Sequence, residues 1–223
     1  MLIEEVEKFV VNQLIEKLDT SFTYHNLTHT QRVVEDAKTL AELSKIDEAQ
    51  KSLLLIAAWF HDTGYTKGEK NHENESVAIA KAFLEAEKYS KTDIKVICDL
   101  ILATKMDAVP NNQLEKIIRD ADCSHIGSKN YLEISELLRK EWELKCDRTF
   151  TEIEWLDENI NFLSKKHQFH TNEAALSWDK RKSKNLSELL KLRKKLNADN
   201  KKIKQKKEEL NFEKNKVELP ERG

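Results

Sequence analysis

The sequence predicts an all-α chain, and three observations lead there. Its 223 residues include only four glycines and two prolines, so the punctuation that hairpins and short strands need is almost missing. Charged residues make up 35% and hydrophobic residues 39%, the balance of amphipathic helices with solvated outer faces. Apolar residues recur at a spacing of three to four over most of the length. The three cysteines, Cys98, Cys123 and Cys146, are widely spaced and form no CxxC pair, which fits a reducing compartment and no disulfide framework. The start of the chain is acidic and amphipathic and unlike a signal peptide, and no apolar run reaches membrane-spanning length. The expectation is a soluble, cytoplasmic chain.

Taken in order, residues 2–18 carry Ile3, Val6, Val10, Leu14 and Leu18 on one helical stripe. A polar turn from Tyr24 to His29 follows, and then a helix with Val33, Ala37, Leu40 and Ala41 on one face. The central helix, about 50–62, is the most apolar: Leu53 to Phe60 runs without a polar residue and breaks off into His61-Asp62-Thr63-Gly64. Gly64 and Gly68 mark a loop leading to His72 at the head of a helix with Val77, Ala80 and Leu84. Ile94, Ile97, Ile101 and Leu102 mark a helix over 92–104, and Asp107–Asn112, with Pro110, is a loop. A short helix, Leu114–Ile118, runs into Arg119-Asp120-Ala121-Asp122, and two amphipathic helices cover about 129–145 and 150–165.

The last stretch differs in charge. Residues 180–217 hold fifteen Lys or Arg against five Asp or Glu, although the whole chain has a net charge of −2, so the body is acidic and the tail basic. That asymmetry places a boundary at 170/171, with a domain over 1–170 and a basic helical tail over 171–223. Leu189, Leu196, Ile203, Leu210 and Val217 recur every seven residues, but the companion positions are mostly Lys or Asp, too thin a stripe for a coiled coil. A charged helix that docks on the body or leads elsewhere is expected. Its lysines would attract anionic lipid headgroups or nucleic acid, with a solvated helix face as the plainer reading and nucleic acid the weaker partner.

Some polar residues interrupt these apolar helices. His29 precedes His61 by thirty-two positions, Asp62 is adjacent, and Asp122 lies sixty positions after Asp62. Desolvating an imidazole or a carboxylate beside a core face is costly unless something pairs with it, and a divalent metal is one such partner. Two imidazoles and two carboxylates form a mixed N/O set suited to Mn, Fe, Co, Ni or Zn, with Mg a further choice for the carboxylates.

This H…HD…D order resembles the HD-domain superfamily of metal-dependent phosphohydrolases. The matching segments are Tyr24–Thr30, Trp59–Gly64, Asn71–Ser76 and Ile118–Asp122, within a likeness that covers about residues 1–165. The resemblance implies an HD-type helical bundle followed by a long basic C-terminal helix. It also implies metal ligands at His29, His61, Asp62 and Asp122. His72 would reach either a second metal or a substrate phosphate, with an inert helix start as the plain alternative. Asp120, His25 and Glu73 would orient ligands, His125 would line the rim or be structural, and His167 and His170 carry no expected role. Binuclear relatives bear a further histidine where this chain has Ala103-Thr104-Lys105, so a single metal is expected, and Lys105 offers a cation for phosphate.

The resemblance implies hydrolysis of a phosphate ester, with Asp62, His72 and Lys105 as catalytic groups. The substrate would be a small phosphorylated molecule, a nucleotide or a related phosphoester. The alternative is a nucleotide-binding module that signals through the C-terminal helix, and a structural or nucleic-acid protein with a vestigial site is a third class. A second resemblance rests on the basic helix and the ending Glu218–Gly223, which look like HD proteins fused to a membrane-spanning Pycsar-effector-like region. It implies that the tail lies at the cytoplasmic membrane face.

Overall fold

The computed structural model describes residues 2–146 and 148–217, and the side chains of 3–146 and 148–211. Every regular element among them is helical: α1 (Leu2–Lys17), α2 (Leu27–Leu43), α3 (Glu48–Phe60), α4 (His72–Ala86), α5 (Lys91–Leu102), α6 (Gln113–Asp122), α7 (Tyr131–Lys145), α8 (Glu152–Asn161) and α9 (Asn172–Val217). Short 3-10 turns cover Thr63–Lys67 and Ser124–Gly127, and a π-helical turn, Phe162–Lys166, follows α8.

Helix starts follow from local chemistry. Asn26 Oδ1 accepts from Thr28 N and His29 N at the head of α2, Ser90 caps α5 and Asn112 caps α6. Thr151 and Glu154 cap each other's backbone in a capping box at α8. Each cap contributes about 1 kcal/mol. Of these, the Asn26 cap bears on function, because it sets the register of α2 and therefore of His29.

The main core surrounds α3, whose residues Leu54–Phe60 are all buried. Val33, Ala37, Leu40 and Ala41 of α2, Ile97 and Ile101 of α5, and Ile117 and Ile118 of α6 pack around it. A second, smaller core joins Ile126, Tyr131, Leu156, Leu163 and Leu189. Leu189 belongs to α9, so the tail helix is partly internal. Ala174 is buried in the main core, Asn185 Nδ2 donates to Ile126 O and Ser128 O, and Arg193 pairs with Asp157. Gly127 permits this docking: a Cβ there would lie 2.5 Å from Trp178 Cβ.

The boundary expected at 170/171 is therefore not where packing ends. Body and helix stay in contact to about residue 196, because the apolar positions of the first half of α9 cover the second core. The heptad stripe divides accordingly, with Leu189 and Leu196 against the body and Ile203 and Leu210 exposed. Residues 218–223, on which the second resemblance partly rests, lie outside the described residues. No helix among the described residues is long and apolar enough to cross a membrane, and that likeness gains no support.

Candidate metal centre

Three stretches of the chain converge on one buried cluster. The helical hydrogen-bond pattern of α3 stops at Phe60, and the chain turns into the Thr63–Lys67 3-10 turn, so His61 and Asp62 leave a packed helix end together. His29 comes from the first turn of α2 and Asp122 is the last residue of α6. His29 and His61 are almost fully buried, Asp62 is 5% exposed, and Asp122 is half-buried.

The donor atoms are close. His29 Nε2 lies 3.1 Å from both Asp62 Oδ2 and Asp122 Oδ1. His61 Nε2 lies 3.2 Å from Asp62 Oδ2, 3.7 Å from Asp122 Oδ1 and 3.3 Å from His29 Nε2. Donors each about 2.1 Å from one ion are about 3.0 Å apart at a right angle and about 3.4 Å apart at the tetrahedral angle, and all but the longest of these spacings fall close to that range. His29, His61 and Asp122 form a group of ligand atoms all within 4.8 Å of one another. Asp62 Oδ2 is buried without a hydrogen bond despite its two imidazole neighbours, the condition of an oxygen suited to a cation. His61 Nδ1 faces Ala58 O at 2.8 Å, which orients the ring so that Nε2 faces the cluster. The donor set fits a divalent ion.

Electrostatics agree. Burial alone would depress the His61 imidazole, but Asp62 and Asp122 outweigh it and hold its pKa well above the ordinary value. Burial alone would raise both carboxyls, but His61 and His29 hold Asp62 and Asp122 well below the usual range. Arg32 Nη2 sits 2.6 Å from His29 Nδ1. A guanidinium only donates, so Nδ1 is the accepting nitrogen and Nε2 is the one that faces the two carboxylates.

His72 stands outside the cluster. Its Nε2 is 3.8 Å from the other oxygen of Asp62, Oδ1, and 3.4 Å from Glu73, while Nδ1 faces Glu69 O at 3.2 Å. Gly64 explains the placement: a Cβ at that position would lie 1.9 Å from His72 O, so only glycine lets the start of α4 come this close. The ring of His72 stacks on Tyr65 at 4.0 Å, and Tyr65 stacks on His25 at 4.3 Å.

His25 is tied to a residue that sequence reasoning missed. Glu141 of α7, 3% exposed, accepts from Tyr24 N at 2.8 Å and His25 N at 2.9 Å, and its Oε1 pairs with His25 Nδ1. Burial alone would lower the His25 pKa, but Glu141 raises it above the ordinary value, while His25 holds Glu141 below its own. Nothing in the sequence around Glu141 marks it, because it lies among exposed glutamates and lysines at ordinary helical spacing. Tyr24 and Arg32 were missed likewise. Tyr24 OH bonds His125 Nδ1 at 3.0 Å, and burial, then Arg32, push His125 down to about 3.

Other expectations resolve differently. Lys105 Nζ bonds Asn74 Oδ1 at 3.2 Å and does not line the site cavity, while Arg119 does. Arg119 also donates to the Ala103, Lys105 and Met106 carbonyls and so fixes that turn. Asp120 orients no ligand: its carboxylate accepts from His170 N, Thr171 N and Thr171 Oγ1, anchoring the start of α9. His167 and His170, expected to be inert, line the cavity. That cavity, of about 1230 Å³, opens onto Asp62, Asp122, His25 and His72 and is closed by faces of α7, α8 and the segment after it.

Comparison with family models matches residues 26–127 to the model described as HD domain. Neither the search of curated proteins nor that of solved structures found a match.

Proposed function

The chain belongs to the HD-domain superfamily through residues 26–127, and from that premise we propose that it hydrolyses a phosphate ester with a divalent metal. One observation carries the reading: His29, His61, Asp62 and Asp122, from three segments of the chain, meet with donor spacings of 3.1–3.7 Å beside a large cavity. These four residues are the proposed ligands. A divalent ion held there supplies Lewis acidity and lowers the pKa of a water toward neutrality.

The chain's own groups do the rest. Asp62 Oδ1, turned toward His72, orients the attacking water through a hydrogen bond. His25, whose pKa Glu141 raises through Nδ1, lines the cavity and is the group proposed to donate a proton to the leaving oxygen. His72, stacked on Tyr65, binds a phosphoryl oxygen. Lys105, engaged with Asn74, is a weaker candidate for that contact than its sequence position implied. The substrate class is a nucleotide or a related small phosphoester.

Elemental analysis of wild type beside Asp62→Ala, with a phosphoester panel assayed on both, tests the reading. Wild type is expected to hold about one divalent ion per chain and turn over a member of the panel, and the variant to do neither. Equal metal in the two proteins would refute the ligand assignment. A second reading, a nucleotide-binding module that signals through α9, draws on the anchoring of the α9 start by Asp120, two residues from Asp122. Tight nucleotide binding without turnover by metal-loaded protein would favour it.

A further inference from the structure

The cavity is larger than a small phosphoester needs. Sites for drug-sized ligands run from about 300 to about 1000 Å³, and this one is about 1230 Å³. One wall carries Asp62 and Asp122 of the cluster, with His25 and His72 beside them. The other, from α7, the link to α8, α8 and the segment after it, carries Arg148, Lys165 and Lys166, with Glu158 its sole carboxylate among the described residues. That wall is cationic in a body whose charge is otherwise acidic.

Two details show how these cations are presented. Arg148 is held over the rings of Trp142 and Phe150, with its guanidinium carbon 4.7 and 5.0 Å from their centroids. Aromatic faces attract a guanidinium without neutralising it. Lys165 and Lys166 lie in the π-helical turn Phe162–Lys166. Such turns are rare, distort the side-chain register of the helix they end, and recur at functional sites. Here the turn brings Ser164 to Gln168, five consecutive residues, to the cavity. Among the described residues none of the three cations pairs with a carboxylate, whereas Arg193 and Lys95 on other surfaces do.

We propose that Arg148, Lys165 and Lys166 form an anion subsite that binds a second phosphate of the substrate, one that is not hydrolysed. The proposal rests on the phosphohydrolase reading and narrows its substrate class to phosphoesters that carry a further phosphate group. The cluster wall would take the scissile phosphate and the cationic wall the other. Neutral-pH phosphates are matched by Arg and Lys through charge-assisted hydrogen bonds.

The test compares a nucleoside 5′-monophosphate with the corresponding 3′,5′-bisphosphate on metal-loaded, full-length protein. Wild type is expected to prefer the bisphosphate by about 10-fold or more in kcat/KM, chiefly through KM. The combined variant Arg148→Gln, Lys165→Gln, Lys166→Gln, whose three side chains are exposed and outside both cores, is expected to bring that preference close to one. Lys201→Gln, an exposed lysine on the outer part of α9, should keep it. A wild-type preference near one, or a preference that survives the triple substitution, would overturn the subsite. Calorimetric binding of the bisphosphate reads the subsite without turnover. Binding weakened about 10-fold in the triple variant supports it even if no ester is hydrolysed, and equal binding by the two proteins overturns it.

Discussion

At the scale of single residues, the site separates groups whose donor atoms share one space from groups that stand beside it. His61 offers Nε2 to the shared space, whereas His72 reaches only the far oxygen of Asp62. Replacing His61 with alanine is therefore expected to lower metal affinity sharply, while His72→Ala keeps metal and slows turnover by about 10²-fold. Elemental analysis beside steady-state kinetics separates the two, and a metal-free His72→Ala would make His72 a ligand. Much of this was legible in the chain itself. A histidine and an aspartate that end an apolar run mark polar groups whose desolvation needs a partner, and the resemblance to HD domains supplied which others to join them with. Glu141, Tyr24 and Arg32 left no such trace, since each acts through a contact between elements distant in sequence. Lys105 shows the converse: proximity in sequence to the missing histidine did not bring its ammonium to the cavity, because Asn74 holds it on the outer surface.

At the scale of elements, the helices were readable from apolar spacing, but which of its two expected courses α9 takes, docked or projecting, was not. Its composition is that of a solvated helix, yet Ala174 and Trp178 pack against the main core, while Leu189 and the Asn185 bond to Ile126 O close the second. Burying one leucine contributes about 2 kcal/mol and each hydrogen bond about 1 kcal/mol. Removing the whole helix therefore costs an amount comparable to the net stability of a domain, about 5–15 kcal/mol. A chain ending at 197 is expected to unfold cooperatively near the wild-type temperature, and one ending at 170 to lose cooperative unfolding, as followed by calorimetry. The junction also confers pH sensitivity. Burial, then Lys182, lower His167 to about 3. The folded protein thus keeps His167 neutral while the unfolded chain protonates it below about 6.5. Stability from this group is present above pH 6.5 and is lost as pH falls from there toward 3. His25 and His61, whose pKa values are raised, act in the opposite sense. Thermal melts of His167→Phe should lose less stability between pH 7 and pH 5 than wild type, and parallel curves would show that His167 does not contribute.

At the scale of the molecule, two charge regimes share one chain, and α9 carries one of them out of the body. Its 46 residues span about 70 Å at 1.5 Å per residue. From 200 to 211 every side chain is exposed, and Ile203 and Leu210 are open to solvent. Half of this helix is a wall component and half is a projection. The consequence lies in how the molecule scatters and diffuses. A compact chain of 223 residues has a radius of gyration of about 17 Å. An outlying rod of about 25 Å raises that value and gives the pair-distance distribution a low, extended shoulder. Small-angle X-ray scattering of the full chain should show the shoulder, and the chain ending at 197 should lose it and approach the compact value. A symmetric, bell-shaped distribution for the full chain would mean that the outer half of α9 folds back onto the body in solution.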